Sequence, residues 1–204
     1  MSKVVVFDFD KTLTKRDTLL DFFLFQKKIN AALLCKIIIY FGCMILFKLH
    51  IINNFSLKSV GVYLFLNSIG RQEFLIKCRA FANSNKVKFS KLYYTYNFVE
   101  GEKYYVVTAS FEDYVKAILP EHFRVIGSNL SWDENDTPAL GMNCYKENKL
   151  KRLMDIGVYF IDNFYTDSYD DICLAKESTH STIVSGDALI QCASLDDFIK
   201  YFKK

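Results

Sequence analysis

Val4 to Thr14 reads VVVFDFDKTLT, an apolar, mostly β-branched run that delivers Asp8 and Asp10 at its C-terminal end. Side chains at i and i+2 of a strand share a face, so both carboxylates arrive on one side. The C-terminal ends of strands in open α/β sheets are where ligands bind. Two carboxylates held together raise each other's proton affinity unless a cation or a shared proton relieves them. The aspartates, the threonines and Asp17 would also suit a plain helix start. Their position directly after a strand is what turns the pair into an expected site.

Bulk properties narrow the classes around this motif. The 204 residues suffice for one core domain, or for a core with a smaller insert. A composition that is 51% hydrophobic and 16% aromatic, with 2 prolines, excludes a disordered chain. The 26 basic and 23 acidic residues are mixed along the sequence for a net charge of +3, so no nucleic-acid partner is expected. Six cysteines show neither a C-x-x-C pair nor zinc-like spacing with the three histidines, as expected of free thiols in a reducing cytosol. A strand begins within three residues of the N-terminus, with no basic segment and apolar leader before it, so export is not expected.

Beyond the first motif, Asp17 to Ile52 is an apolar stretch too long for a strand, punctuated by Lys27, Lys28, Lys36 and Lys48, and reads as helices. Its uncharged part, Ile37 to Phe47, falls short of the ~20 residues a helix needs to cross a bilayer. It reads as a buried helix of a small helical unit; the lysines at its edges keep membrane contact open as the alternative. Ser56 to Val99 continues as amphipathic helices, with Phe74, Lys77 and Phe81 at helical spacing. A strand, Tyr104 to Val107, then ends in Thr108, Ala109 and Ser110, and a helix runs to Pro120. Next come a strand at Phe123–Ile126, a hairpin over Asn129–Asn143 and a basic helix over Lys146–Ile156. A strand at Val158–Tyr165 leads into Thr166–Asp171 and a helix with Ile172 and Leu174; a last core strand, Ser181–Val184, and a closing helix, Leu195–Phe202, follow. This alternation predicts an α/β fold, a Rossmann-like parallel sheet with helices on both faces. The expected division is a core of residues 1–16 and 100–204, with an α-helical cap, 17–99, over the strand ends.

That fold gathers Asp8 and Asp10, Thr108 and Ser110, Lys149, and Asp167 with Asp170 and Asp171 along one sheet edge. Separately these are helix caps, a solvated lysine and dipole-favoured acids; jointly they describe a site. Hard oxygen ligands with room for water and phosphate suit Mg²⁺ better than zinc. Lys149 and the Thr108 hydroxyl can neutralise a phosphate's remaining charge. Asp8 can attack phosphorus in line, while Asp10 protonates the leaving oxygen and then deprotonates water.

DFDKTLT, VVTAS, the lysine of NCYKENKLKRL and YTDSYDD, in that order, resemble the four motifs of the haloacid dehalogenase-like hydrolases. The likeness spans the whole chain and is closest to the phosphoserine-phosphatase-like branch, whose helical cap lies between the first and second motifs. It implies Asp8 as nucleophile, Asp10 as acid/base, and phosphate held by Thr108, Ala109 and Lys149. It also implies Mg²⁺ on Asp8, the Asp10 main-chain carbonyl and Asp167, with Thr12, Ser110, Asp170 and Asp171 in support. Lys11 stands where many members have glycine. Ala109-Ser110 replaces a Gly-Gly pair, which puts phosphoserine itself in doubt as substrate. Lys146 replaces the glycine of a C-x-G-x-x-K stretch, and Lys146 and Lys151 remain alternatives to Lys149.

The leading expectation is therefore a Mg²⁺-dependent phosphomonoester hydrolase acting on a small phosphorylated metabolite in the cytoplasm, with phosphotransfer to an alcohol still open. The apolar cap, with Phe22, Phe23, Phe25 and the Ile37–Phe47 run, keeps a second expectation: a lipid phosphate phosphatase of the phosphatidylglycerophosphate type, in peripheral contact with the inner face of the membrane. A third, from another class, is a catalytically silent module that binds a phosphorylated ligand. Asp17, His50, His122 and His180 read as surface, capping or packing residues, with Asp17 also a candidate substrate contact.

Overall fold

The computed structural model describes residues 2–203. Its main sheet has the order β3-β2-β1-β6-β7-β8, built from β1 (Val4–Phe7), β2 (Lys103–Phe111), β3 (Phe123–Ser128), β6 (Ile161–Thr166), β7 (Ser178–Ser185) and β8 (Ala188–Cys192). The first five are mutually parallel, and β8 pairs antiparallel with β7. A separate hairpin joins β4 (Leu130–Trp132) to β5 (Pro138–Leu140). The α/β, Rossmann-like expectation holds.

The strand order matters because β1 is central. Phe7 pairs with Val106 of β2 on one side and Tyr165 of β6 on the other. The Asp8 amide adds one more bond, to the Tyr165 carbonyl at 2.9 Å. Asp8 therefore emerges between the ends of β2 and β6, in the crevice where the chain crosses from one side of β1 to the other. Side-chain alternation divides the core into two. Val5 and Phe7 join the aromatic cluster that continues under the helical insertion. Val6, Tyr105 and Phe164 pack on the opposite face with Leu153 of α7 (Glu147–Asp155) and Phe198 of α9 (Leu195–Phe202).

Five helices lie between β1 and β2: α1 (Leu19–Leu24), α2 (Ala31–Lys48), α3 (Asn54–Leu66), α4 (Arg71–Ala82) and α5 (Lys91–Thr95). The chain leaves the core and returns to it through paired backbone: Thr14 bridges Phe89, Lys15 N–H donates to Lys88 at 2.8 Å, and Ser90 N–H donates to Leu13 at 2.8 Å. From Phe89 onward the chain packs on the sheet layer, with Tyr96 edge-on to Phe7 at 5.1 Å and Tyr93 stacked toward Phe123 at 6.4 Å. These contacts group α5 with the sheet, ahead of the expected boundary at residue 99.

Two expectations differ from what is observed. The Ile37–Phe47 segment is not a buried helix: α2 buries only Leu33 and Tyr40, and Ile38, Ile39, Phe41, Ile45 and Leu46 are exposed. Being apolar on every side, the run carries no signal of which face is covered, and α2 is an outer helix packed against α3, with Tyr40 edge-on to Phe23 and Phe65. The last core strand begins at Ser178, and its hairpin partner β8 was not anticipated, because Ala188 to Gln191 is exposed throughout and lacks a buried alternation.

Candidate active site

The turn after β1 brings the first motif together. Asp10 has extended backbone (φ −69°, ψ 130°), and Lys11 sits in the left-handed region at φ 58°, where a side chain is disfavoured and glycine is not. Lys146 also has positive φ, at 51°. Both lysines occupy positions where the resemblance implies glycine, so the backbone keeps the shape and the side chains bear the strain.

Asp8 is buried. Lys149, projecting from α7, places its Nζ 2.7 Å from Asp8 Oδ1 and 2.7 Å from Asp171 Oδ1. Asp171 is fixed in turn by the Thr166 hydroxyl, which donates to its Oδ2 at 2.7 Å. Burial disfavours the charged amine of Lys149, but the charges of Asp171 and Asp8 outweigh it and hold the amine above the ordinary lysine range. Burial pushes Asp171 up to about 6 and raises Asp8 too, against the pull of Lys149 and with a further push from Asp167. Of the three candidate lysines, Lys149 alone reaches Asp8: Lys146 faces Asp170 at 3.5 Å, and Lys151 is exposed.

Asp10 is oriented by three donors. Its Oδ1 accepts from the Thr18 amide and the Thr18 hydroxyl, both at 2.7 Å, and its Oδ2 accepts from the Ser110 hydroxyl at 2.6 Å. Burial, reinforced by the charge of Asp17, pushes its carboxyl up to about 7 despite those bonds. Proton transfer at neutral pH calls for a group poised there. Thr108 and Ala109 lie where β2 shifts register against β3, between Val107 and Phe111, and the Ser110 amide donates to Thr108 Oγ1 at 3.0 Å. Gly127 makes that irregularity possible: a Cβ there would stand 2.7 Å from the Ser110 carbonyl and 2.8 Å from the Glu112 nitrogen.

Asp8, Asp10, Thr108, Ala109, Lys149 and Asp167 line a cleft of about 550 Å³, together with Asp17, and Leu19, Leu20, Tyr40, Met44, Phe47, Lys48 and Lys58 of the insertion complete its lining. The remaining candidates sit differently. Ser110, Asp170 and Asp171 reach the cleft, but Asp170 is engaged by the Tyr145 hydroxyl and Lys146. Thr12 is buried and does not line the cleft; its main-chain carbonyl accepts from the Ser90 hydroxyl at 2.7 Å, so it holds the returning chain.

Sequence reasoning missed Lys58 and Thr18. Lys58, on α3, is 3% exposed, and its amine donates to the Ala109 carbonyl, to Asn143 Oδ1 at 2.7 Å and to Ser128 Oγ at 3.3 Å. It thereby ties the insertion to the end of β2 beside Thr108. A lone lysine in an apolar helix gives no warning of that. Thr18 did carry a signal, a hydroxyl residue eight positions beyond Asp10, but only the fold brings the two together.

Asp8 and Asp167 are close enough for Asp167's charge to add to burial in raising Asp8, and a hard cation between them would relieve both. Among the described residues no three His, Cys, Asp or Glu side chains form a metal cage. Mg²⁺ is typically bound by one or two carboxylates with waters and substrate phosphate completing its shell, and the carboxylates of Asp8 and Asp167 are hard oxygen donors of that kind. The donors present therefore fit this ion.

Comparison with known proteins identifies the family and the fold. The family model described as haloacid dehalogenase-like hydrolase matches residues 5–176. A Bordetella pertussis Tohama I protein of unknown function superposes with a TM-score of 0.68 at 16% identity, covering 89% of each chain. A phosphoserine phosphatase from T. onnurineus gives 0.53 at 18% identity, over 100% of this chain and 96% of that one. A phosphoserine phosphatase carrying a phospho-aspartyl intermediate analogue gives 0.53 at 14% identity, over 88% and 85%. At such identities the likeness is one of fold. No curated protein matches the sequence significantly. With the family model covering residues 5–176, from β1 through β6 and the helix after it, the chain belongs to the haloacid dehalogenase-like hydrolases.

Proposed function

We propose that this protein is a Mg²⁺-dependent phosphomonoester hydrolase that works through an aspartyl-phosphate on Asp8. The observation that carries the reading is the division of labour between two buried carboxylates two residues apart: Asp8 is ion-paired to Lys149, whereas Asp10 is held by hydroxyl and amide donors and pushed up to about 7. Two neighbouring carboxyls held by such different partners support one as nucleophile and the other as proton donor and acceptor.

Asp8 attacks phosphorus in line. Lys149 and the Thr108 hydroxyl meet the charge on the phosphoryl oxygens, beside the Ala109 main chain. Asp10, oriented by Ser110 and Thr18, gives its proton to the leaving oxygen and then takes one from the water that attacks the aspartyl-phosphate. Asp8, the Asp10 carbonyl and Asp167 would hold Mg²⁺, which when bound would supply charge neutralisation for the phosphate dianion. A relative of this fold carrying a phospho-aspartyl intermediate analogue supports the covalent step.

The preferred substrate class is a small phosphorylated metabolite in the cytoplasm. A second reading, an ester whose alcohol is a lipid, is favoured by the apolar residues Leu19, Leu20, Tyr40, Met44 and Phe47 in the cleft lining. Hydrolysis of soluble and lipid-linked phosphate monoesters, with Mg²⁺ or with EDTA and with Asp8→Asn alongside, tests the proposal. Mg²⁺-dependent turnover lost in the variant is expected, and the ranking of esters separates the two readings. Binding of phosphate without turnover of any ester refutes a hydrolase and leaves a binding module.

A further inference from the structure

We infer that the outward face of α2 docks on the surface of an anionic lipid bilayer, with the helix lying in the plane of the interface. Leu34, Ile38, Phe41, Ile45 and Leu49 recur at i, i+4, i+7, i+11 and i+15 and are all exposed. At 1.5 Å per residue they make an apolar stripe about 22 Å long. Ile38 is 70% exposed and Ile45 59%, and so large a continuous apolar patch marks an interaction surface.

Charge identifies the occupant. No aspartate or glutamate occurs between Asp21 and Glu73, while Lys27 and Lys28 precede α2 and Lys36 and Lys48 lie within it. An apolar face accompanied by lysines alone is the composition of a helix attracted to anionic headgroups. A second copy of this chain is a poor occupant, because a two-fold contact through the stripe would bring these lysines together with no carboxylate from the same segment to pair them.

The rest of the helix settles the orientation. Leu33 and Tyr40 are buried beneath α2, and Tyr40, Met44 and Phe47 wall the cleft. A helix that crossed the bilayer would pull these side chains off α3 and unroof the site. Lying flat, α2 buries one face in lipid and keeps the other over the cleft, whose mouth then stands at the lipid–water boundary.

Co-sedimentation of the full chain with phosphatidylcholine vesicles, with and without 30% phosphatidylserine, tests the inference. Ile38→Gln/Ile45→Gln is the informative variant, since neither residue lines the cleft and both already face water. The expected result is binding to the anionic vesicles at least tenfold tighter than to the neutral ones, reduced at least tenfold in the variant. The variant's hydrolysis of a soluble phosphate ester should be unchanged. Docking does not depend on the phosphatase reading: Asp8→Asn should bind vesicles as the parent does, so loss of turnover and loss of docking are separable. Absence of vesicle binding, equal binding to neutral vesicles, undiminished binding of the variant, or a solution dimer that the variant dissociates in place of vesicle binding would each overturn the inference.

Discussion

Replacing Lys149 with methionine tests the electrostatic logic of the site most directly. The amine is almost wholly buried between two carboxylates, each 2.7 Å away and each itself buried. Methionine fills similar space but leaves Asp8 and Asp171 facing each other without a cation. Breaking a buried pair from one side costs about 3–5 kcal/mol, because the orphaned charge stays desolvated. Urea unfolding without divalent cations should show that loss at pH 8. Asp171→Asn in the same background removes one of the two stranded charges while leaving an oxygen for the Thr166 hydroxyl, and about 1–2 kcal/mol should return. Turnover should stay lost in both variants, since the phosphoryl charge has no lysine to meet it. A Lys149→Met protein within 1 kcal/mol of the parent, or a double variant less stable than Lys149→Met alone, would refute the reasoning.

Three further outcomes follow from local geometry. Burial pushes Lys58 down to about 7 from an ordinary 10.5, so between those values the unfolded chain binds the extra proton and this residue's contribution to stability improves as pH rises, by at most about 1.4 kcal/mol per unit; the stability difference, parent minus Lys58→Met, should rise from pH 7 to 9, and a flat difference would exclude a buried, titrating amine. Lys11→Gly relieves the left-handed backbone at φ 58° and should raise stability by about 0.5–1 kcal/mol in thermal unfolding, while removing a positive charge that holds Asp167 down against its burial. Gly127→Ala drives a Cβ into the Ser110 carbonyl and the Glu112 nitrogen, both backbone, and should cost about 1–3 kcal/mol together with turnover, as Ser110 shifts from Asp10; full activity would show that the irregularity in β2 is not needed.

The site was legible to the extent that local geometry builds it. Asp8 and Asp10 follow at the end of a strand, which the apolar, mostly β-branched run before them reveals. Lys149 was one of three candidates, and only the placement of α7 shows which amine reaches Asp8. Asp170 could not be distinguished from its neighbours, because its engagement by Tyr145 depends on a loop twenty-five residues away in sequence. Lys58 was invisible for the same reason: its acceptors come from Ala109, Ser128 and Asn143, all distant in sequence. Periodicity failed for α2 in the opposite way, since a helix apolar on all sides has no phase from which to infer its covered face. β8 carries too little burial to leave a pattern.

The paired backbone where the insertion leaves and rejoins the sheet has one more consequence. Thr14 and Phe89 are neighbours across a single bridge, so to the sheet the whole intervening segment is equivalent to a tight loop. The entropy of closing a loop depends on where its ends meet and grows only slowly with its length. Segments of very different size can therefore be exchanged at this junction while β1 and β2 keep their register, and what the protein admits can change without altering what it does to the phosphate.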